Sequence, residues 1–517
     1  MVSHKDSKTW EFGDFQTPMD LARIAVNRLA EEISFSPKTI IESTCGVGAF
    51  LIAAAEKFPD ADKIIGVEIK DTYISTLKSI LENKSYGNKV DLIQGDFFKI
   101  DWDKILAPLP KPILFIGNPP WVTNADLGLM KGGNFPEKSN FQNHKGFDAV
   151  TGKANFDISE WMLLKQMDWI GQYGGAVAIL CKTSVARKAL QSAWGKKISI
   201  SQSVCIQINA QEHFNAAVEA CFFISESSTG VPSTDCTLLG SFANDTSNAV
   251  FGLHDGMVIS NVDLYYRRKN LIGHEPYYTW RSGVKHDCSK VMELRYTGKS
   301  LVNGFGECVE IEPSHLFPLL KSSDVANNLT HNPRLQVIIT QEKVGQETSD
   351  IRYSSPATWA YLNKYCGFLD KRASIIYRGK PPFSIFGIGP YAFKEWKVAI
   401  SGFYKRLSFS IIPPYKGKPV MLDDTVYFIG CSTRLEAEFL HGILNSIEAQ
   451  EALCSMVFWN NKRPITIDLL KRLSIRKLAS VLGRVDEYLA FTLQDKPTQK
   501  HKLYPYDGQD TPIVKGA

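Results

Sequence analysis

The stretch "KTIIESTCGVGAFLIAAAEKF" (Lys38–Phe58) indicates the fold of the chain. A short apolar run ends at Glu42, and an alanine-rich run with helical spacing begins a few residues later. Between them, Gly46 and Gly48 allow a tight turn and a close approach of the backbone to a ligand. The N-terminus of the following helix would point at that ligand. A strand, a glycine turn and a helix in this order predict the first unit of an α/β sheet.

The same alternation of strands and helices continues to about residue 225. Four further strands are expected at "KIIGVEI", "KVDLIQGDF", "PILFIGNPP" and "AVAILC". Helical spacing occurs between them in "DTYISTLKSILENK" and "DISEWMLLKQMDWIGQY". Strands separated by such helices predict a mostly parallel sheet covered on both faces. The runs "VCIQIN" and "VEACFFIS" follow without a long helix between them and predict a C-terminal antiparallel hairpin.

Carboxylates occur at the ends of three successive predicted strands. Glu68 follows Glu42 by 26 residues, and Asp96 follows Glu68 by 28. A carboxylate at the second strand end can accept from both ribose hydroxyls. Asp96 can accept from an adenine amine while Phe97 covers the ring. Each carboxylate alone is more commonly a solvated helix cap, but together they favour an adenosine-shaped site. The turn lacks the third glycine of dinucleotide sites, and the chain has no phosphate-binding loop of the G-x-x-x-x-G-K-[ST] type.

The stretch "LFIGNPPWVTN" (Leu114–Asn124) ends a strand with an amide, two prolines and a tryptophan expected to be exposed. The prolines stop the strand ladder, because they lack donors. The Asn118 side-chain oxygen and the Pro119 carbonyl can each accept a hydrogen bond. An amine held by two acceptors has its lone pair available for attack on a methyl sulfonium. Trp121 offers a flat face for a planar base. The alternative is an ordinary strand-ending turn with a core tryptophan.

These motifs together resemble the S-adenosylmethionine-dependent amino-group methyltransferases, especially the gamma-class adenine-N6 DNA methyltransferases. That class includes modification enzymes of restriction–modification systems. The resemblance rests on six motifs in order: "GDFQTP" (Gly13–Pro18), "STCGVGAF", "GVEI", "GDFF", "NPPW" and "QEHFNAAVEACFF" (Gln211–Phe223). Two departures are Glu42-Ser43-Thr44, where the family often has an acidic residue and proline, and Trp121, where Tyr or Phe is commoner.

The resemblance implies a Rossmann-like catalytic domain over residues 1–235, with S-adenosylmethionine as cofactor. Thr17 would hold the amino-acid end of the cofactor, Glu42 and the turn its methionine part, Glu68 its ribose, and Asp96 with Phe97 its adenine. The implied cofactor-binding residues are Thr17, Glu42, Cys45, Gly46, Gly48, Phe50, Glu68, Asp96, Phe97 and Asn118. The implied catalytic residues are Asn118, Pro119, Pro120, Trp121 and Phe214, the last packing against the flipped base.

Charge is unevenly distributed along the 517 residues, whose net charge is +5. Residues 1–235 carry a balance of −3, and residues 236–517 carry +8. This difference predicts an anionic macromolecular partner, although ordinary surface variation is an equal alternative. The resemblance implies that residues 236–500 form an α+β target-recognition domain for double-stranded DNA. Residues 501–517 are expected to form a flexible tail. The segments Tyr377–Lys405 and, second, Trp280–Lys290 are expected to contact DNA. The proposed contact residues are Lys285, Arg378, Lys380, Lys405 and Arg406.

The cysteine content and the hydropathy of the sequence indicate the cellular compartment of the protein. Ten cysteines occur without any C-x-x-C pair, which favours reduced thiols and no metal site. No signal peptide or membrane-length apolar run is present, so a bacterial or archaeal cytoplasm is expected. An RNA or protein-glutamine methyltransferase would share the "NPP" motif and stays an alternative. A fused endonuclease and an inactive DNA-binding protein are disfavoured. A cognate restriction endonuclease acting on the same site is an expected partner.

Overall fold

The chain forms two compact units in the computed structural model, which describes residues 16–122, 157–243 and 247–494. Unit 1 comprises the described residues up to Arg267 and the later stretch Cys454–Pro464. Unit 2 comprises Arg268–Leu453 and the described residues from Ile465 onward. Among the described helices, none has the length and apolar composition that crossing a membrane requires. The tail expected at 501–517 lies outside the described residues.

Unit 1 is built on a ten-stranded sheet with the order β10-β9-β8-β6-β7-β5-β4-β1-β2-β3. Strands β3, β2, β1, β4 and β5 are parallel, and β7 is antiparallel to both of its neighbours, β5 and β6. The strands are β1 (Thr39–Glu42), β2 (Lys63–Glu68), β3 (Val90–Gln94), β4 (Ile113–Gly117), β5 (Gly175–Lys182), β6 (Ile200–Ile208), β7 (Ala220–Ser227), β8 (Asp235–Leu239), β9 (Ser247–His254) and β10 (Met257–Ile259).

Helices cover both faces of this sheet. The described helices are α1 (Met19–Glu32), α2 (Ala49–Lys57), α3 (Asp71–Leu81), α4 (Trp102–Leu106), α5 (Ile158–Tyr173), α6 (Thr183–Gly195), α7 (Ala210–Phe214) and α8 (Val262–Arg268). Consecutive strand residues alternate between the faces. Ile40 therefore packs in the core that includes α1 and α2, whereas Ile41 packs in the core that includes α4, α5 and α6. Two apolar layers around one buried sheet hold the strand ends rigidly in place.

The predicted strand and helix order up to residue 225 is confirmed, including the antiparallel pairing of β6 with β7. A domain boundary was expected after residue 235, but this residue begins strand β8. The strand pairs with β6 and continues the sheet, so the structure has no boundary at this point. Cys236 and Phe251 on β8 and β9 are buried in its core. The Ser-, Thr- and Gly-rich composition of this region therefore belongs to the last strands of the sheet and their connections, and the first unit extends to Arg267.

The stretch Cys454–Pro464 belongs to unit 1 although it lies far along the chain. The Arg187 guanidinium on α6 donates to Asn460 Oδ1 at 2.8 Å and to Asn461 Oδ1 at 2.7 Å. It also lies 4.2 Å from the centre of the Phe458 ring. Burial lowers the Arg187 pKa to about 10. These contacts join segments separated by more than 270 residues, and nothing in the sequence predicted them.

Unit 2 combines two small sheets with helices, an α+β arrangement. One sheet has the order β11-β19-β16-β17 and the other β13-β12-β15-β14-β18. Its strands are β11 (Arg281–Ser282), β12 (Glu293–Thr297), β13 (Ser300–Val302), β14 (Leu316–Leu320), β15 (Leu335–Ile338), β16 (Trp396–Ser401), β17 (Ser410–Ile412), β18 (Met421–Leu422) and β19 (Val426–Cys431). Its helices include α9 (Ser289–Met292), α10 (Ser322–Ala326), α11 (Ile351–Ser354), α12 (Pro356–Lys364), α13 (Cys366–Asp370), α14 (Arg434–Leu444), α15 (Ile447–Cys454), α16 (Ile467–Leu470), α17 (Ile475–Val481) and α18 (Val485–Gln494).

Candidate active site

A cavity in unit 1 lies at the carboxyl ends of strands β1 to β4. This is the edge at which open parallel sheets bind their ligands. The glycine turn, the end of β2, the end of β3 and the turn after β4 all contribute to its walls. The lining residues are Gln16, Thr17, Glu42, Ser43, Thr44, Cys45, Gly46, Ala49, Glu68, Ile69, Lys70, Tyr73, Gly95, Asp96, Phe97, Phe98, Asn118, Pro120, Val122, Ile158 and Met162.

Glu68 holds the glycine turn in place. Its Oε2 accepts from the Gly46 backbone N–H at 2.9 Å, and its Oε1 accepts from the Lys70 backbone N–H at 2.9 Å. Gly46 has a φ of +52°, which favours glycine, and a Cβ there would lie 2.8 Å from the Gln16 side-chain oxygen. A carboxylate oxygen has further lone pairs, so Glu68 can anchor the turn and still accept from a ligand hydroxyl.

Glu42 is a buried carboxylate in the wall of the cavity. It accepts from the Leu51 backbone N–H at 2.8 Å, within the first turn of α2. Burial raises the pKa of Glu42, and the nearby Glu68 charge raises it further. Gly117, at the end of β4, has a φ of +146°, and a Cβ there would lie 3.1 Å from Glu42 Cγ. The glycine therefore lets the turn after β4 approach Glu42 closely. A cation bound in this cavity would offset the desolvation of the carboxylates.

Asp96 and Phe97 occupy the end of β3. Asp96 Oδ1 accepts from the Phe98 backbone N–H at 2.9 Å, and Lys99 Nζ lies 3.4 Å from Oδ2. The Phe97 ring is buried, 5.1 Å from the Trp102 ring, and its carbonyl accepts from Trp102 Nε1 at 2.9 Å. Phe98 also lines the cavity. The strand end is thus fixed by an aromatic cluster, with the carboxylate beside it at the cavity wall.

The turn after β4, Asn118–Trp121, is contacted by Thr17 from another wall of the cavity. Asn118 Nδ2 donates to Thr17 Oγ1 at 3.2 Å. Because the amide nitrogen is the donor here, the acceptor at this position is Asn118 Oδ1. Asn118 and Pro120 line the cavity, whereas Pro119 is buried beside them. The structure therefore brings the asparagine of the "NPPW" turn to the same cavity as the three strand-end carboxylates.

Trp121 is buried, and the expectation of an exposed ring is wrong. The residue is only 6% exposed, and its Nε1 donates to the Leu180 carbonyl at 3.2 Å. Its ring packs edge-to-face against Phe214, with ring centres 5.3 Å apart. The buried position arises because β5 offers a carbonyl to the indole N–H, which a local sequence pattern cannot predict. The two aromatic residues expected at the target base are nevertheless neighbours.

Comparison with known proteins finds a relative that is similar over most of the chain. The chain is 40% identical over 484 residues to the type II methyltransferase M.NspV of Nostoc sp., covering 93% of this chain and 100% of that protein. The chain belongs to the type II methyltransferases. Another type II methyltransferase, M.XamI of Xanthomonas campestris pv. amaranthicola, is 30% identical over 116 residues, 22% of this chain and 21% of the relative. No protein-family model matches.

A solved structure is similar over a comparable range. It is that of the type IIL restriction-modification enzyme MmeI in complex with DNA, with 13% identity, a TM-score of 0.46, and coverage of 92% of this chain and 75% of that one.

The cofactor of this type II methyltransferase is S-adenosylmethionine, and the cavity fits it. The cofactor carries a sulfonium and an ammonium cation together with an adenosine group. Glu42, Glu68 and Asp96 supply acidic acceptors at three neighbouring strand ends. The raised pKa of Glu42 marks a place where a cation is favourable. The residues that line the cavity would therefore hold the cofactor, whose sulfonium methyl is the group transferred.

Two residues of the implied cofactor-binding set lie away from the cavity of this type II methyltransferase. Phe50 is fully buried in the core and stacks on Phe222, with ring centres 5.9 Å apart. Gly48 precedes α2 with a φ of +85°, and a Cβ there would lie 2.5 Å from Leu77 Cδ1. Phe50 and Gly48 pack on the side of the glycine turn that faces the core. We therefore correct their assignment from cofactor contact to support of the turn.

Several residues of the site were missed by the sequence analysis. Ile69 follows Glu68, lines the cavity and is 45% exposed. An apolar residue directly after an acidic residue at a predicted strand end is a sequence signal that could have identified it. Gln166 on α5 donates to Ser43 Oγ at 3.0 Å and thereby links that helix to the glycine turn. Lys182 contacts the Trp121 carbonyl. These last two contacts join distant segments, and no local pattern predicts them.

The candidate DNA-contact residues lie in unit 2. Arg378 and Lys380 are exposed on either side of Gly379, directly after a 3₁₀ turn, and Lys405 and Arg406 are exposed between β16 and β17. Lys285 differs, because its Nζ lies 2.6 Å from Asp287 Oδ1 and 3.6 Å from Asp424 Oδ2. The two carboxylates compensate its charge locally, so Lys285 is the weakest of the five candidates.

The segment Trp280–Lys290, the second choice for DNA contact, is partly buried, with Arg281, Asp287, Ser289 and Lys290 exposed. Trp280 and Val284 are buried, and His286 is buried with its Nε2 3.4 Å from Glu293 Oε1. A Cβ at Gly283 would lie 2.1 Å from the Leu422 carbonyl oxygen, so this glycine allows two backbones to approach. Gly283 and His286 therefore serve close packing rather than contact with a ligand.

Proposed function

We propose that this type II methyltransferase transfers a methyl group from S-adenosylmethionine to the N6 amine of adenine in double-stranded DNA. We assign it to the gamma class, as the modification enzyme of a restriction–modification system. The observation that carries the proposal is the position of Asn118, held by Thr17 in the wall of the cavity that contains Glu42, Glu68 and Asp96. An amide acceptor at that point suits an amino-group target. It requires no nucleophilic cysteine.

In this mechanism, Asn118 and Pro119 prepare the target amine. Asn118 Oδ1 and the Pro119 carbonyl each accept one N–H of the amine, which turns its lone pair away from the ring and toward the methyl group. As the new C–N bond forms, the bond between the methyl group and the sulfonium sulfur breaks and its electron pair stays on sulfur. The amine gains positive charge in this step, and both acceptors then bind it more strongly. The proton released afterwards passes to solvent. Glu42 would hold the methionine part of the cofactor, and Glu68 would hold its ribose.

The proposal also assigns Trp121 and Phe214 to the extruded adenine. A base paired in a duplex cannot reach a cavity of this kind, so the nucleotide must flip out of the stack. Because the Trp121 indole is bonded to the Leu180 carbonyl, Phe214 is the partner expected to move when a base enters. Phe214 ends the five-residue helix α7, which Asn209 caps by accepting from the Glu212 N–H at 3.3 Å.

Unit 2 is proposed as the target-recognition domain for duplex DNA. Phosphate contacts require exposed cations whose charge is not already compensated. Arg378, Lys380, Lys405 and Arg406 are exposed, and their positions support this role. A restriction endonuclease that cuts the same site is the partner that such a modification enzyme would protect against.

A methyl-transfer assay tests the proposal directly. Labelled S-adenosylmethionine would be offered with duplex DNA, total RNA and a glutamine-containing peptide, and modified bases would be mapped by single-molecule sequencing. We expect N6-methyladenine at one sequence motif in duplex DNA. Label confined to RNA or to peptide glutamine would reject the proposal.

The alternative, an RNA amino-group methyltransferase, has one observation in its favour. A segment of 117 residues, 22% of this chain, is 26% identical to the rRNA N(6)-adenosine-methyltransferase metl-5 of Caenorhabditis elegans and covers 52% of that protein. The segment is short compared with the 93% of this chain that M.NspV matches, so the DNA reading is favoured.

A further inference from the structure

Three lysines join helix α5 to the segment that forms the end of β5 and helix α6. Each makes an ion pair with a carboxylate of α5 or its cap. The pairs are Lys182 with Asp157 at 2.6 Å, Lys188 with Glu160 at 2.7 Å, and Lys196 with Asp168 at 2.7 Å. The three pairs lie at successive positions along the two helices. They are chemically alike, and each contributes to the packing of α5 against α6.

Lys182 has a second contact that makes it different from Lys188 and Lys196. Its Nζ lies 3.5 Å from the carbonyl oxygen of Trp121, in the "NPPW" turn. Two further hydrogen bonds hold the same turn. The Trp121 indole N–H donates to the Leu180 carbonyl, and the Ile158 N–H donates to the Val122 carbonyl at 2.9 Å. Lys182 therefore binds the catalytic turn and the start of α5 with one ammonium group.

The partner of Lys182 is itself fixed. Asp157 is buried at the N-cap of α5, where its Oδ1 accepts from the Ser159 backbone N–H at 3.0 Å. Helix α5 in turn contributes Ile158 and Met162 to the cofactor cavity. An ammonium group has three donors, so one lysine can hold a carboxylate and a carbonyl together. A partly buried charge pair of this kind is screened less by solvent than an exposed one.

We propose that Lys182 is a positioning residue for methyl transfer. It holds the Trp121 carbonyl against Asp157 and so fixes the direction in which Asn118 and Pro119 present their acceptors. The inference rests on the proposed function, because it names a residue that acts through the catalytic turn. A displacement of the acceptors by a fraction of an ångström would reduce the rate of the chemical step, since alignment of reacting groups is a large part of catalysis.

The test compares three variants of the full-length protein: Lys182→Met, Lys188→Met and Lys196→Met. Each removes one α5–α6 ion pair and keeps an unbranched side chain. We expect Lys182→Met to lower kcat by about tenfold or more, with KM for the cofactor and its Kd within about twofold. Lys188→Met and Lys196→Met should keep kcat within about twofold. Equal kcat in all three variants would overturn the proposal.

Two further variants separate positioning from folding. Lys182→Arg keeps the charge and the donors, and should recover most of the lost kcat; a rate as low as that of Lys182→Met would overturn the assignment. Asp157→Asn keeps an acceptor for Ser159 but removes the partner charge, and a fall in kcat at constant cofactor affinity is expected. Should Lys182→Met fail to fold, this variant gives the same comparison. The rates are measured on whichever amine the wild type methylates, so failure of the DNA proposal would appear in the wild type alone.

Discussion

The amide nitrogen of Asn118 donates a hydrogen bond to the hydroxyl of Thr17, 3.2 Å away and 101 residues earlier in the chain. With the side chain in this orientation, Asn118 Oδ1 is the atom placed to accept from a substrate. Thr17 also lines the cavity, beside the glycine turn. Gln16, the residue before Thr17, packs against Gly46 of that turn. One residue of the segment before α1 therefore contacts both the catalytic turn and the cofactor cavity.

Asn118→Ala should leave folding intact and lower kcat by about 10²–10³-fold, a larger effect than its effect on cofactor affinity. The loss belongs to the transition state, because the acceptor acts most strongly when the amine carries positive charge. Steady-state kinetics with titration calorimetry of the cofactor would measure the two effects separately. Turnover near the wild-type rate would eliminate the amine-polarising role of Asn118.

Thr17→Val should lower kcat by about two- to tenfold, the value of one neutral hydrogen bond. Valine has nearly the shape of threonine but cannot accept from Asn118, so the amide loses its orientation. Thr17→Ser is the matched control, since it keeps the hydroxyl. Kinetics at saturating cofactor would detect the difference. If the Val and Ser variants turned over equally fast, the Thr17 contact would have no role in orienting Asn118.

Asp96→Ala should weaken cofactor binding by about 1–3 kcal/mol, because the adenine amine would lose its acceptor in a partly buried site. Asp91→Ala is a suitable control on β3, the strand before Asp96, as Asp91 is exposed and pairs with Lys63 outside the cavity. Titration calorimetry without DNA measures both variants. An unchanged affinity for Asp96→Ala would show that Asp96 does not bind the adenine.

Charge reversal by Arg378→Glu with Lys380→Glu should weaken duplex DNA binding and reduce its salt dependence, while cofactor affinity stays constant. The control is Lys299→Glu with Lys343→Glu, which changes net charge equally at two other exposed positions of unit 2. Binding would be measured by fluorescence anisotropy at several salt concentrations. Equal weakening in both double variants would point to the overall charge of unit 2 rather than to this segment.

The sequence predicted the part of the fold that local patterns encode. The turn at Gly46, the strand ends at Glu68 and Asp96, and the hairpin of β6 and β7 follow from hydrophobic period and turn residues. Trp121 was placed wrongly, because its burial depends on a carbonyl of β5 that lies 59 residues away. Contacts between distant segments are fixed by packing, which has no local signature.

The division of the chain illustrates the same limit. The strands β8 to β10, at one end of the sheet, are only partly buried, and their composition resembles a linker. The return of Cys454–Pro464 to unit 1 depends on Arg187 and its two asparagine partners. The continuation of the sheet through β8 to β10 and the return of Cys454–Pro464 leave no mark on the local hydrophobic pattern. The sequence therefore predicted neither of them.

Lys397 should make the stability of the protein depend on pH. The residue is 1% exposed on β16, and its Nζ donates to the Lys394 carbonyl at 2.6 Å. Burial lowers its pKa from 10.5 to about 7. Between these two values the unfolded chain binds a proton that the folded chain does not, so the contribution of Lys397 to stability rises with pH across that window. Below pH 7 both states are protonated, and the full desolvation cost of the buried ammonium remains.

Lys397→Met removes the buried charge and should therefore stabilise the protein most near pH 7, with the advantage shrinking by at most about 1.4 kcal/mol per pH unit toward pH 10. Urea unfolding of wild type and variant at pH 7, 8 and 9 would measure this difference. Lys405→Met, at an exposed position of the same unit, is the control and should show no such trend. A Lys397→Met advantage that stayed constant from pH 7 to 9 would mean that the lysine keeps its proton in the folded protein, held by the Lys394 carbonyl despite its burial.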